Sequence, residues 1–151
     1  MSRVARSARV ASRQRVETIT GSKTIGAAET GELYIIDYNG GATATITLPP
    51  KQDGAYFKFV WKTKMAASSC AVKITSIEEE AGDFVGAILE HVTGGSNADS
   101  AMEQAAGTDF QVTLSKEIEP GTFIECVCDG STWFVTGVAN VENIGKVGFG
   151  A

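Results

Sequence analysis

Strict alternation of apolar and polar residues is the feature that most constrains the fold of this chain. In "TATITLPP", Ala44, Ile46 and Leu48 share one face and threonines occupy the other. The same period of two runs through "AYFKFVWK", "CAVKIT" and "TDFQVTL", and it is typical of strands with one buried and one wet face. Turn signals separate these runs: Asn39-Gly40-Gly41, Pro49-Pro50, Asp53-Gly54, Gly94-Gly95, Pro120-Gly121 and Asp129-Gly130. Short strands spaced in this way predict an all-β fold, an antiparallel β-sandwich or a jelly-roll-like domain.

Two segments depart from simple alternation. "ELYIIDY", residues 32–38, is apolar on both faces, which predicts a central strand or a strand that a partner subunit covers. "NADSAMEQAAG", residues 97–107, is the one helix candidate, with Asn97 or Asp99 as N-cap and Gly107 as the stop. We assign four large residues to the core or to an oligomer interface: Tyr34, Ile36, Trp61 and Trp133. A sugar-stacking role is the alternative for the tryptophans.

The stretch "TFIECVCDGSTWFVTG", residues 122–137, reads as a hairpin that turns at Asp129-Gly130. Cys126 and Cys128 are one residue apart on its first strand, whereas zinc sites favour Cys-x₂₋₄-Cys in a loop that can wrap around the ion. The chain has three cysteines, an odd number that argues against a disulfide framework. We therefore expect Cys70, Cys126 and Cys128 to be reduced structural thiols that bind no metal.

Catalytic signatures do not emerge from the sequence. His91 is the only histidine, and neither it nor Ser68 or Ser69 belongs to a nucleophile motif. The acidic run 77–83 lacks the spacing of a calcium loop and is interpreted as a solvated turn. No phosphate-binding or dinucleotide motif occurs. We expect neither an enzyme nor a cofactor.

Charge divides the chain into two parts. All five arginines lie in the first 16 residues, at Arg3, Arg6, Arg9, Arg13 and Arg15, and no acid precedes Glu17. The remaining 135 residues carry 8 lysines against 18 acids, a net charge of −10. This split predicts an extended basic N-terminal arm, residues 1–16, on a β-sandwich domain, residues 17–151. The acidic domain would oppose nucleic-acid binding, and no apolar run is long enough to cross a membrane.

Four segments, taken in order, resemble the decoration and head-fibre proteins of tailed bacteriophages. They are "TGELYIIDYNGGATATITLPP", "GAYFKFVWKT", "AVKITS" and "GTFIECVCDGSTWFVTG". In that group a "G-x-x-Y/F-x-x-D" strand leads to a "T-I-T-L-P" strand, then to "G-x-x-F-x-F-V" and a closing "C/S-D-G-x-x-W-Y/F-V-x-G" hairpin. The resemblance runs from Gly31 to Gly137, roughly 70% of the chain, and excludes residues 93–107.

The resemblance implies a non-enzymatic virion protein with a β-sandwich or jelly-roll body, usually trimeric, at the symmetry axes of a capsid. From it we expect synthesis in the host cytoplasm, a place on the capsid surface and the major capsid protein as partner. The five arginines of the arm would carry the attachment. Alternatives are a tail-fibre or spike component and a carbohydrate-binding β module.

Overall fold

The computed structural model describes residues 14–94 and 100–151. These residues form strands and one 3-10 turn, Ala27–Glu29. The strands in chain order are β1 Val16–Ile19, β2 Lys23–Thr24, β3 Leu33–Ile36, β4 Thr43–Thr47, β5 Asp53–Trp61, β6 Ala71–Thr75, β7 Phe84–Val92, β8 Ser100–Gln104, β9 Gln111–Ser115, β10 Phe123–Asp129, β11 Trp133–Val141 and β12 Val147–Gly150.

Two sheets pack against each other as a sandwich. The large sheet has seven strands in the order β1-β3-β5-β10-β11-β7-β8, and the small sheet has five in the order β12-β9-β6-β4-β2. The predicted all-β sandwich is confirmed, but both sheets are mixed rather than purely antiparallel. Antiparallel pairs such as β10–β11 stand beside parallel pairs such as β3–β5 and β4–β6.

Four parallel pairs arise because the first six strands alternate between the sheets, and β7 pairs in parallel with β11 later in the chain. Odd-numbered strands β1, β3 and β5 lie in the large sheet, and even-numbered strands β2, β4 and β6 lie in the small sheet. A chain that crosses over and back returns in its original direction, so strands two apart in sequence become parallel neighbours. The connections in this half of the chain therefore cross from one sheet to the other. Their turn residues would suit hairpins equally well, so the sequence alone does not distinguish the two.

The core lies between the inner faces of the two sheets. Tyr34, Ile36, Trp61 and Trp133 are each at most 1% exposed within the single chain, so the core is where the structure places all four. The Tyr34 ring stacks on Phe59 with centroids 5.4 Å apart, and the Trp61 indole N–H donates to the sulfur of Met65 at 3.1 Å. β3 has one fully buried face and one half-buried face, so the core accounts for one apolar side of the segment and leaves Leu33 and Ile35 on the outer side.

The predicted hairpin at Asp129-Gly130 is confirmed. β10 and β11 pair antiparallel, with Cys128 opposite Trp133. The Asp129 carboxylate accepts hydrogen bonds from the backbone N–H groups of Ser131 and Thr132, at 2.9 and 2.8 Å, and Gly130 has φ +92°. A residue with a side chain rarely adopts that φ, which explains the glycine.

The prediction of a helix at residues 97–107 is wrong for the residues that the structure describes. Ser100–Gln104 is strand β8, which pairs antiparallel with β7 at the edge of the large sheet. The N-cap candidates Asn97 and Asp99 lie outside the described residues. Alanine, methionine, glutamate and glutamine favour helices, but pairing with a nine-residue neighbour outweighs such weak preferences.

A buried carboxylate ties the large sheet to the last strand of the small sheet. Glu90 of β7 is 0% exposed, although it stands at an inward position of an otherwise apolar face. Its oxygens accept hydrogen bonds from the backbone N–H groups of Gly145, Lys146 and Val147, that of Lys146 at 2.7 Å. One side chain therefore fixes the segment that enters β12.

We expect Glu90→Gln to lower the free energy of unfolding by roughly 2–4 kcal/mol, because buried donors would lose a charged acceptor. Chemical denaturation would measure the loss, and hydrogen exchange should show β12 opening first. Glu79→Gln, at an exposed glutamate, is the matched control and should change little. Equal stability of the two variants would contradict the assigned role of Glu90.

Candidate functional site

The basic arm joins the sandwich at an edge strand. Arg3, Arg6, Arg9 and Arg13 lie outside the described residues, so only Arg15 can be placed. Its carbonyl oxygen accepts a hydrogen bond from the Leu33 N–H at 2.9 Å, and its guanidinium lies 3.5 Å from the Glu32 carboxylate. β1 begins at Val16 and is the outermost strand of the large sheet. The arm therefore starts from a sheet edge, where the chain is already paired at Arg15.

Charged side chains gather where the arm enters, and we call Arg15, Glu17, Lys23, Glu29 and Glu32 the arm-root cluster. Carboxylate oxygens of the three glutamates lie within 4.8 Å of one another. The Lys23 ammonium is 3.0 Å from both Glu17 and Glu29 and acts as their shared cation. Burial opposes the charged lysine, but hydrogen bonds with these two carboxylates raise its pKa overall. The cluster is thus an ion-pair network around Lys23.

Tyr34 contributes a buried hydroxyl close to this network. It forms no hydrogen bond of standard geometry with the described residues, although the carboxylates of Glu29 and Glu32 lie nearby. Burial, followed by the negative charges of Glu29, Glu32 and Glu17, raises the pKa of Tyr34. The phenol consequently stays neutral at any physiological pH, and its ring packs in the core.

An open cleft of about 330 Å³ lies beside the cluster and is lined by residues 17–23. Glu17 and Lys23 belong to both features, so the cleft presents a carboxylate and an ammonium beside backbone groups. Such a lining suits a polar segment that forms hydrogen bonds better than it suits an apolar ligand.

The cysteines are buried and free, as predicted. Burial, with a smaller contribution from the neighbouring Glu125 charge, raises the pKa of Cys126, and burial alone raises that of Cys70. Both thiols are therefore protonated at neutral pH. A protonated, enclosed thiol is a poor nucleophile, so these residues fill space as small apolar groups.

The residues considered for catalysis, His91, Ser68 and Ser69, do not form a catalytic group. His91 is exposed on β7, with Ser100 and Asn140 as its cross-strand neighbours. Ser68 and Ser69 are exposed before β6, a strand of the other sheet. In the described part of the chain, no hydrogen bond joins His91 to a serine or a carboxylate.

The acidic run 77–83 is not simply a solvated turn, which corrects the sequence interpretation. Asp83 is 2% exposed and pairs with the Lys51 ammonium at 2.5 Å, while Glu80 pairs with the same ammonium at 3.1 Å. Glu78 also accepts the Lys51 backbone N–H at 3.0 Å. The run is therefore bound to the connection between β4 and β5.

Trp61 and Trp133 offer no stacking platform, because they are 1% and 0% exposed. The indole N–H of Trp133 has no hydrogen-bond partner among the described residues. A glycan would have to displace core side chains to reach either ring. The interpretation of these tryptophans as core residues is the one that the structure supports.

No protein-family model matches the chain, and no curated protein matches it significantly. Across residues 14–94 and 100–151, no helix has the length and apolar character needed to cross a bilayer.

The Lys51–Asp83 pair should make stability depend on acid pH. Burial opposes the charged aspartate, but hydrogen bonds from Lys51 and from the Glu80 N–H lower the pKa of Asp83 below its ordinary value of 3.8. The resulting stabilisation is fully present above about pH 4 and is lost as pH falls through the lowered pKa. The difference in unfolding free energy between the parent and Asp83→Asn should therefore shrink below about pH 4.

Lys51→Met should cost roughly 3–5 kcal/mol at neutral pH, because it leaves the buried Asp83 charge uncompensated. Adding Asp83→Asn should recover part of that loss in a double-mutant cycle. Additive losses, or a pH-independent difference for Asp83→Asn, would contradict a coupled pair.

Proposed function

We propose that this chain is a structural virion protein that decorates and stabilises the capsid of a tailed bacteriophage as an oligomer, with a trimer expected from the resemblance. The observation that carries the proposal is the charge split along the chain: five arginines precede an acidic β-sandwich of net charge −10. The ordered resemblance of four strand segments to capsid decoration and head-fibre proteins supports the same conclusion. We expect the protein on the capsid surface, after synthesis in the host cytoplasm.

The arm supplies attachment in this proposal. Arginine forms two parallel hydrogen bonds with a carboxylate, and its charge persists at all relevant pH values. One exposed pair contributes only about 0.2–1 kcal/mol, so several arginines must act together. Linking arms in one oligomer raises the effective concentration of each at the capsid. Arms that reach neighbouring subunits of the major capsid protein would hold them together against the pressure of the packaged genome.

The alternative of a tail-fibre or spike component uses the same kind of β domain and differs in its place on the virion. Electron microscopy of labelled particles separates the two, because a decoration protein repeats over the head. A carbohydrate-binding module is disfavoured by the burial of Trp61 and Trp133. We expect neither nucleic-acid nor membrane binding, since the sandwich is strongly acidic.

Deleting residues 2–13 should abolish most capsid occupancy and leave the sandwich folded. The deletion stops before Arg15, because the Arg15 carbonyl and β1 belong to the large sheet. Binding of purified protein to undecorated capsids measures occupancy, and thermal melting measures the fold. Parent occupancy should also fall as salt rises.

Two full-length variants separate charge from geometry. Replacing Arg3, Arg6, Arg9 and Arg13 by glutamine should mimic the deletion, whereas replacing them by lysine should retain partial binding. Parent-like occupancy of the glutamine variant would show that the arm charges are dispensable. A loss of folding on deletion would instead place the arm in the core.

A further inference from the structure

The outer face of the large sheet presents side chains that the core does not use. Along β5, β10 and β11, nearly all inward residues are buried, whereas outward residues are half-buried or exposed. Outward positions on β5 are Tyr56, Lys58 and Val60, and those on β10 are Phe123, Glu125 and Val127. Strand register brings these positions into rows that run across the sheet.

One row is apolar from β3 to β8, and we call it the long row. Successive cross-strand partners are Ile35, Val60, Phe123, Val138, Leu89 and Met102. A second apolar row, the short row, joins Tyr56, Val127, Phe134 and Val85 across β5, β10, β11 and β7. Neither row is visible in the sequence, because each takes one residue from each of several strands.

Both rows contact water in the single chain. Met102 is 68% exposed and Leu89 is 36% exposed in the long row, while Val85, Phe134 and Val127 are 45%, 43% and 42% exposed in the short row. Isolated exposed apolar residues are ordinary on protein surfaces. Contiguous exposed apolar rows on one sheet face are typical of a surface that binds another protein, a ligand or a membrane.

Charge on this face points to a second copy of the chain as that partner. Lys58 and Glu125 lie between the two rows and pair at 2.8 Å, in the third and fourth strands of the large sheet. Lys58 also lies 4.9 Å from the centre of the Phe123 ring. The face is therefore nearly neutral, although residues 17–151 have a net charge of −10. Two acidic copies repel least here, and Lys58 of one copy can meet Glu125 of another.

The dimensions of the face suffice for a stable interface. Seven strands at ~4.8 Å spacing and nine residues at ~3.3 Å give roughly 29 by 26 Å, or about 750 Å². Stable interfaces bury about 800 Å² on each partner. A copy of the same sheet face matches this area, since sheets pack face to face.

We propose that the outer face of the large sheet, with its long and short rows, is the surface through which copies of this chain associate. This inference gives a surface to the oligomer of the proposed function, but it does not depend on a capsid. Two faces can pack as a two-fold pair. In a trimer each face would be shared between two neighbours, so each pairwise contact would use part of the face.

The test is the solution mass of the full chain by analytical ultracentrifugation at tens of micromolar. We expect a dimer or trimer for the parent. Phe134→Glu should raise the apparent dissociation constant about 100-fold or more, because an unpaired charge would be buried. Val127→Lys tests the neighbouring position with the opposite charge, in case Phe134→Glu fails to fold. Circular dichroism checks the fold of each variant.

Ile144→Glu is the matched control, since Ile144 is 49% exposed in the connection before β12 and lies in neither row. It should remain oligomeric. A monomeric parent, or folded Phe134→Glu and Val127→Lys variants that keep the parent mass, would overturn the inference. Capsid binding is a separate measurement: an oligomer that binds no capsid would contradict the proposed function and leave this surface standing.

Discussion

The burial of two inner sheet faces against each other is the constraint on which the rest of the structure depends. Residues 14–94 and 100–151 form no helical layer that could cover a sheet, so the most apolar faces of the two sheets pack against each other. The first six strands satisfy this condition by alternating between sheets, and parallel neighbours follow directly. Aromatic residues from β3, β5 and β11 then fill the interior, as in the stacked pair of Tyr34 and Phe59.

Packing alone does not fix how the later strands join the two sheets, and buried carboxylates supply the missing specificity. Glu90 binds three backbone N–H groups before β12, and Asp83 binds Lys51 from the β4–β5 connection. Each carboxylate is nearly inaccessible to water, so its charge must be met by fixed donors. An apolar residue at either position would permit several placements of the connected loop, whereas a charge permits few.

The sequence predicted the strands, the closing hairpin and the core residues well, because a period of two reports which side of a strand is buried. It could not report which strand lies beside which. Asn39-Gly40-Gly41 suits a hairpin, yet it lies where the chain crosses between sheets, and Asp53-Gly54 is no turn between strands but the start of β5. The composition of "SAMEQ" favours a helix, but the segment pairs with β7 as a strand in the folded chain. Glu90 could have been noticed, because it falls on the same face as Phe84 and Ile88 in an inward series. The apolar rows of the outer face could not have been noticed in the sequence, because they depend on which residues of neighbouring strands stand opposite each other.

The outer face and the basic arm can act independently because they occupy different parts of the large sheet. The arm leaves from β1 at the sheet edge, and Arg15 is held there through Leu33 and Glu32. The long row begins one strand further in, at Ile35, and extends away from the arm to Met102 on the opposite edge. In the oligomer that we propose, association through this face covers the middle of the sheet and leaves β1 at the rim. The arms would then emerge around the interface rather than within it, each free to reach a different acidic surface. The arms would attach through the charges of their arginines, whereas the sheets would associate through a nearly neutral face. Salt should therefore weaken the attachment of the arms far more than the association of the sheets.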